Sequence, residues 1–468
     1  MKNFIAYKTI LCTALLCLGG IQANAQLPKI FGKPVNSVNP ANGIIRCATT
    51  EYEAWLQEQN PKRETREHFE AWLAEKMQDK RAQKSAATTN EPTIMYIPVV
   101  VHVIHNGDAV GSDENITDAQ VLSQITVLNQ DFRKKIGTPG WNSNPVGADM
   151  EIEFVMAQTN PEGNLTNGID RINMSTASWA SINAIDTNLK PATSWDPTQY
   201  FNIWVCKYAD TGEIKDLLGY AQFPSSSNLD GLDPNGGASN TDGLVIGYQY
   251  FGSATLCPTG NFGPSNNVYR YGRTATHEIG HCFGLVHING DNDQSCQVNA
   301  ADSYKDYCPD TPATKYYNYG CTPANSCPAA AGVDMIDNYM DYTDDTCMDI
   351  FTKDQKARVK TVMQNSPNRA ELLTSTVAQA PAGTKDFKLL NGINLYPNPA
   401  HDVVNIAVTN GSLPDSFVIY NNLGQVITSA QLNTQANLTI DTAALSNGIY
   451  FIKINKGTAA KTLKFVKN

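Results

Sequence analysis

Between Thr276 and Ile288 the chain reads THEIGHCFGLVHI, a run that an uninterrupted helix cannot use as a unit. His277 and His281 stand four apart. An α-helix separates them by about 40° and about 6 Å, so both imidazoles share one face. Ten residues of continuous helix would carry His287 about 15 Å along the axis and round to another face. If the three histidines act together, the helix must stop and the chain must turn back. Gly284, three residues after His281, is where a left-handed turn costs no Cβ clash. The pattern therefore predicts a helix that breaks at Gly284.

Two imidazoles on one helical face, with a glutamate beside the first, form the zinc-hydrolase arrangement. The histidines are ligands, and Glu278 is placed as general base for a water. The bland alternative is an ordinary helix with chance histidines. Three of the chain's seven histidines fit the longer pattern, which favours the metal. Downstream, "DNYMDYTDDTCMDIF" offers Met340 for a buried methionine turn beneath such a site, and Tyr342 two residues later.

The chain has 468 residues and a formal net charge of −10, which excludes a general affinity for nucleic acid or anionic membrane. Residues 1–25 read as a secretory signal: basic "MKNFIAYK", apolar "TILCTALLCLGG", then Ala23-Asn24-Ala25 for cleavage. No other segment is long enough to span a membrane. Nine cysteines follow the signal. Eight of them, Cys206, Cys257, Cys282, Cys296, Cys308, Cys321, Cys327 and Cys347, can pair in an oxidising destination, and Cys47 stands apart.

Residues 26–91 are charged and helix-prone, with "EAWL" twice, and suit helices that lie on another surface. Residues 92–369 begin with the buried-strand pattern "IMYIPVVVHVIH". A capping box from Thr117 to Gln120 then opens a long helix, and further strands are "YFNIWVCKY", "LLGYAQFP" and "GLVIGYQYF". Residues 370–386 form a linker, and 387–468 are short strands between Asn, Gly and Pro turns. The expected fold class is α+β: a mixed α/β domain with a twisted sheet and two long helices, preceded by a helical pro-segment and followed by a small all-β sandwich.

"HEIGHCFGLVH" followed by "NYMDY" resembles the metzincin metallopeptidases, and within them the pappalysin family, from about Ile94 to Asn365. The resemblance implies zinc on His277, His281 and His287, Glu278 as general base and acid, Met340 as the methionine turn and Tyr342 as transition-state support. It suggests bridges Cys296–Cys327 and Cys321–Cys347, the remaining four central cysteines being left unassigned. "KDYCPDTP" resembles the family's calcium loop, with Asp306, Asp310 and Thr311 matching and Lys305 and Cys308 departing from it. Relatives that prefer a basic residue after the cut carry Asp directly before the last cysteine. That position is Thr346 here, so a broader or different preference is expected. Cys47, in "IIRCATTEYEAW", resembles a cysteine switch, a thiolate occupying the open zinc position of a latent form.

"LYPNPAHDVVNI", "IYNNLGQVI", "LSNGIYFIKI" and "KTLKFVKN" resemble, in that order, the C-terminal sorting domain of the type IX secretion system. The joint expectation is a zymogen of a zinc endopeptidase acting on polypeptides, exported across the inner membrane by its signal and across the outer membrane by the type IX machinery to the surface or medium. It would carry neither a transmembrane segment nor a nucleic-acid partner. The rival is a catalytically idle, zinc-stabilised surface adhesin or binding module.

Overall fold

The computed structural model describes residues 27–35, 37–86, 94–226, 239–291, 296, 306–379, 393–408, 413–422, 424–432, 438–456 and 459–468. The expected signal, Lys305 and part of the expected linker 370–386 lie outside these residues. No helix among the described residues is long and apolar enough to cross a membrane.

The N-terminal segment has a two-stranded ribbon, β1 (Lys29–Ile30) and β2 (Lys33–Pro34), a short strand β3 (Ile45–Cys47), and two helices, α1 (Thr49–Gln59) and α2 (Arg66–Ala86). The central domain follows with β4 (Met95–His105), α3 (Asp118–Asp131), β5 (Ile152–Met156) and β6 (Ile169–Asn173). A helical stretch, α4 (Ile182–Ala184), a π-turn (Ile185–Leu189) and α5 (Lys190–Thr193), precedes β7 (Phe201–Cys206), β8 (Leu217–Ala221) and β9 (Leu244–Gly247). Helices α6 (Arg273–Cys282) and α7 (Lys353–Asn365) complete it.

The seven-stranded sheet has the order β3-β8-β9-β7-β4-β5, with β6 also paired to β4. Strand β4 is central: its first half pairs β5, its second half β6, and its other edge β7, all in parallel. Val99, Val101 and Val103 are fully buried there, each contributing about 1.5–3 kcal/mol of burial free energy. One face of the sheet packs on α3, α6 and α7. The other packs on the α4–α5 stretch and on the N-terminal segment.

Two expectations change. The box at Thr117 is half made: its hydroxyl caps the Gln120 amide at 3.1 Å, but the Gln120 side chain turns inward. It donates to the carbonyls of Tyr248, Phe251 and Asn261, and accepts from the Asn261 amide. Those loop groups would otherwise be buried unpaired, so the longer-range use wins over the local one. The complete box belongs to α7, between Thr352 and Gln355. Second, the N-terminal segment does not only lie on the domain. β3 pairs with β8 in parallel and becomes the edge of its sheet.

The C-terminal part is a sandwich. β10 (Ile393–Tyr396), β11 (Val403–Val408) and β14 (Thr439–Asp441) form one sheet; β12 (Ser416–Asn421), β13 (Val426–Gln431), β15 (Gly448–Lys456) and β16 (Ala459–Lys467) form the other. Val404, Ile406, Ile419, Ile452 and Phe465 are among the side chains of its core.

Candidate metal centre

The helix breaks where the sequence requires. Leu285 donates to the Gly280 carbonyl and Gly284 to that of His281, both at 2.9 Å, and Gly284 has φ +87°. This is a Schellman turn with glycine in the left-handed position. The chain reverses and returns His287 to His281 and His277. Gly280 matters as well: a Cβ there would come within 2.4 Å of Met340 Sδ, so the methionine turn sits against the bare side of the helix.

The three imidazoles converge. Their Nε2 atoms lie 3.1 Å (His277–His287), 3.2 Å (His277–His281) and 3.0 Å (His281–His287) apart. Each Nδ1 faces an acceptor elsewhere. His277 meets the Tyr339 carbonyl at 2.7 Å, His281 the Leu285 carbonyl at 2.8 Å, and His287 the Asp291 carboxylate. Each Nδ1 is therefore the protonated nitrogen, and three bare Nε2 lone pairs point at one another. Without a cation that arrangement is repulsive; around one it is a ligand set. Burial first, and the neighbouring histidines second, lower the His277 pKa and take His281 down to about 3, so both are neutral imidazoles.

Cys47 completes the set. Its Sγ and one nitrogen from each histidine all lie within 4.8 Å of one another, and all four residues are buried. Three imidazoles and one thiolate suit tetrahedral zinc. Burial, and then Glu278, push the Cys47 thiol well up; a cation in the cage acts the other way.

Glu278 lies beside this cage. Its Oε2 accepts from Thr49 Oγ1 at 2.9 Å and from Cys47 Sγ at 3.4 Å, both on the N-terminal segment. Its Oε1 is buried with no hydrogen-bond partner. Burial pushes the carboxyl up to about 8, against the lowering effect of these two donors and of Arg46. Tyr342 packs edge-on to His277 and His287 and reaches the Cys47 carbonyl with its hydroxyl at 3.4 Å.

Four supporting residues, Asp291, Arg66, Arg358 and Arg46, lie outside the sequence motif. Asp291, four after His287, orients that ligand. Burial works against its charge, but His287 and Arg66 hold its pKa well below the usual carboxylate range. Arg66 of α2 pairs with it at 2.9 Å. Arg358 of α7 donates to the Gly284 carbonyl at 2.6 Å while its other nitrogens clasp Glu70 of α2. Arg46, next to Cys47, is 1% exposed; it donates to the Thr343 carbonyl at 3.0 Å and pairs with Asp345 at 3.2 Å. Asp345 also accepts the amides of Tyr271 and Arg273 at the start of α6. The spacing of Asp291 from His287 was a usable signal. The ion pairs Arg66–Asp291, Arg358–Glu70 and Arg46–Asp345 join residues more than 200 apart.

Thr346 is exposed and lies against the Cys321 sulfur at 3.8 Å. The carboxylate that receives a basic side chain is its neighbour, Asp345. The two suggested bridges, Cys296–Cys327 and Cys321–Cys347, are present. Cys206, Cys257, Cys282 and Cys308 do not pair. They sit in separate parts of the fold, and each behaves as a small buried hydrophobe. In the suggested calcium loop, Asp306 accepts from Thr311 Oγ1 at 2.7 Å, whereas Asp310 is exchanged with Asp354 at the start of α7. Asp310 Oδ1 is buried and unpartnered.

Residues 185–364 match the family model described as pregnancy-associated plasma protein-A, and residues 394–468 that of a secretion system C-terminal sorting domain. An extracellular metalloprotease of Verticillium alfalfae is 31% identical over 289 residues, 60% of this chain and 80% of that protein. One from Neurospora crassa is 28% identical over 341 residues, 72% of this chain and 93% of its own. Promirolysin of Tannerella forsythia, solved as a glutamate-to-alanine mutant, is similar at 32% identity, 72% of this chain and 99% of that one, with a TM-score of 0.52. Mirolysin in complex with a compound shows 35% identity, 62% and 100% coverage and a TM-score of 0.50.

Proposed function

The chain belongs to the pregnancy-associated plasma protein-A, or pappalysin, family of metallopeptidases, and from that premise we propose that His277, His281 and His287 hold one zinc ion and that Glu278 is the general base and acid of peptide hydrolysis. The protein is an extracellular metalloendopeptidase with a C-terminal secretion sorting domain. The observation that carries the zinc reading is the convergence of three Nε2 atoms whose partner nitrogens are all committed elsewhere.

Zinc held there would polarise a carbonyl and acidify a water. The protein's own groups do the rest. Glu278 takes a proton from the attacking water through its unpartnered oxygen and delivers it to the leaving amine. The Cys47 carbonyl stands where a substrate carbonyl could lie, and Tyr342 donates to it; in turnover the same hydroxyl supports the developing oxyanion. Met340, under Gly280, supports the cage from below. In the latent chain Cys47 supplies the fourth ligand and excludes the water.

Residues 26–91 act as the pro-segment of 92–369, and the sandwich hands the chain to the type IX machinery. Asp306, Asp310 and Thr311 are proposed to hold calcium, a reading supported by their oxygen donors and by the unpartnered Asp310 Oδ1.

Processed protein is expected to cleave a denatured protein substrate, to lose that activity in chelator, and to regain it with one equivalent of zinc. Activity that survives exhaustive chelation with no bound metal left overturns the zinc reading. Because Asp345, not Thr346, receives the Arg46 guanidinium, cleavage is expected to favour Arg or Lys at one position beside the cut. A peptide-library profile indifferent to basic residues refutes this.

A further inference from the structure

Removal of the N-terminal segment uncovers more than the metal. Helix α1 sends Tyr52 over strand β8, next to the edge strand β3, into a closed slot, where it is fully buried. The floor of the slot is polar. Tyr52 donates its hydroxyl to one oxygen of Asp186, and Tyr220 of β8 donates to the other at 3.1 Å. Lys190, fully buried, pairs with Asp186 at 2.9 Å. Its ammonium also lies 4.6 Å from the Tyr220 ring, 5.1 Å from that of Tyr52 and 5.5 Å from that of Trp204. Tyr52 meets Tyr220 edge-on at 5.0 Å. The π-turn at 185–189 sets Asp186 and Lys190 side by side; such turns recur at functional positions.

The slot is continuous with the strand that lines the metal centre. Tyr220 follows Gly219, whose carbonyl accepts the Ala48 amide at 3.2 Å and which pairs with Cys47. A polypeptide lying along β8 thus runs past both. When Tyr52 leaves, one Asp186 oxygen loses its donor while the aromatic walls and the lysine remain. The vacancy is selective. A phenylalanine fills the space but cannot donate to Asp186, a basic side chain meets Lys190, and an acidic one meets Asp186.

We propose that the slot under Tyr52 is a side-chain subsite of the processed enzyme that takes the phenol of a substrate tyrosine onto Asp186. This rests on the peptidase reading, so the test has an arm that needs no turnover. The first probe is the peptide of residues 43–52, with its Tyr52→Phe counterpart, titrated onto processed protein carrying Glu278→Ala. The tyrosine peptide is expected to bind about tenfold tighter, the order of effect of one hydrogen bond to a buried charge. That difference is expected to vanish in Asp186→Asn/Lys190→Met, which removes both charges together and leaves no unpaired ion to unfold the protein.

The second arm maps cleavage of a peptide library by processed protein retaining Glu278. Tyrosine is expected to be preferred over phenylalanine at one fixed position from the cut, and not in the double variant. Equal binding of the two peptides, or discrimination that survives in the double variant, overturns the proposal. Failure of the unsubstituted enzyme to cut any substrate, alongside intact discrimination in binding, would instead strike the peptidase reading alone.

Discussion

Cys47→Ala is expected to turn the latent chain into one that cuts itself during production. The thiol is the fourth member of the cage, and alanine leaves that position open to water. The rest of the segment keeps its anchors: β3 on β8, Arg46 on Asp345, Arg66 on Asp291 and Glu70 on Arg358. The variant therefore folds with the segment in place, but the segment leaves more readily. Each 1.4 kcal/mol of lost anchoring speeds its release about tenfold if the loss falls on the dissociation step, and one metal–thiolate bond is worth at least that. The measurement is the rate of conversion to processed protein, by mass spectrometry, against the parent. The same substitution with Glu278→Ala separates self-cleavage from cleavage by host proteases, because it is expected to stay intact. A Cys47→Ala protein as silent as the parent would discard the switch.

Glu278→Ala alone is expected to reduce cleavage of a denatured protein by about 10²- to 10⁴-fold, the usual contribution of a placed general base. Metal content is expected to stay at one zinc per chain, since the carboxylate is not among the convergent ligands. The structure makes the two readouts separable. The histidines are oriented by Tyr339, Leu285 and Asp291, none of which touches Glu278 through the hydrogen bonds described. Thr49 and Cys47 hold Glu278 Oε2; in the proposed processing they would leave with the segment and free the carboxylate to act as the base. Undiminished cleavage by the alanine variant would remove Glu278 from the mechanism.

The legible parts of this protein were the local ones. His277, Glu278, His281, Gly284 and His287 lie within a dozen residues, and helical geometry relates them without knowledge of the fold. The β4 strand and the C-terminal sandwich were legible for the same reason, since β-branched runs and turn residues act over short spans. What stayed hidden depends on chain ends meeting. Ile45–Cys47 is too short to announce itself as a strand, and acquires that role only because β8 offers an unpaired edge. Arg46 reads as an ordinary surface arginine until Asp345 arrives from nearly 300 residues away. The same contact shows that Asp345, next to Thr346, is the carboxylate that meets Arg46, a one-residue distinction that the local sequence does not make. Four buried cysteines looked like candidates for pairing only because their separation in space was unknown.

The edge position of β3 has a consequence for the journey as well as for the chemistry. With β3 in place, the backbone amides and carbonyls of β8 that it pairs with are satisfied. Without it, β8 is a bare margin of an extended sheet, the kind of surface on which chains stack into aggregates. A secreted protein that exposed this margin before reaching its destination would risk sticking to its own copies. In the proposed processing, release of β3 would open that same margin to receive a polypeptide.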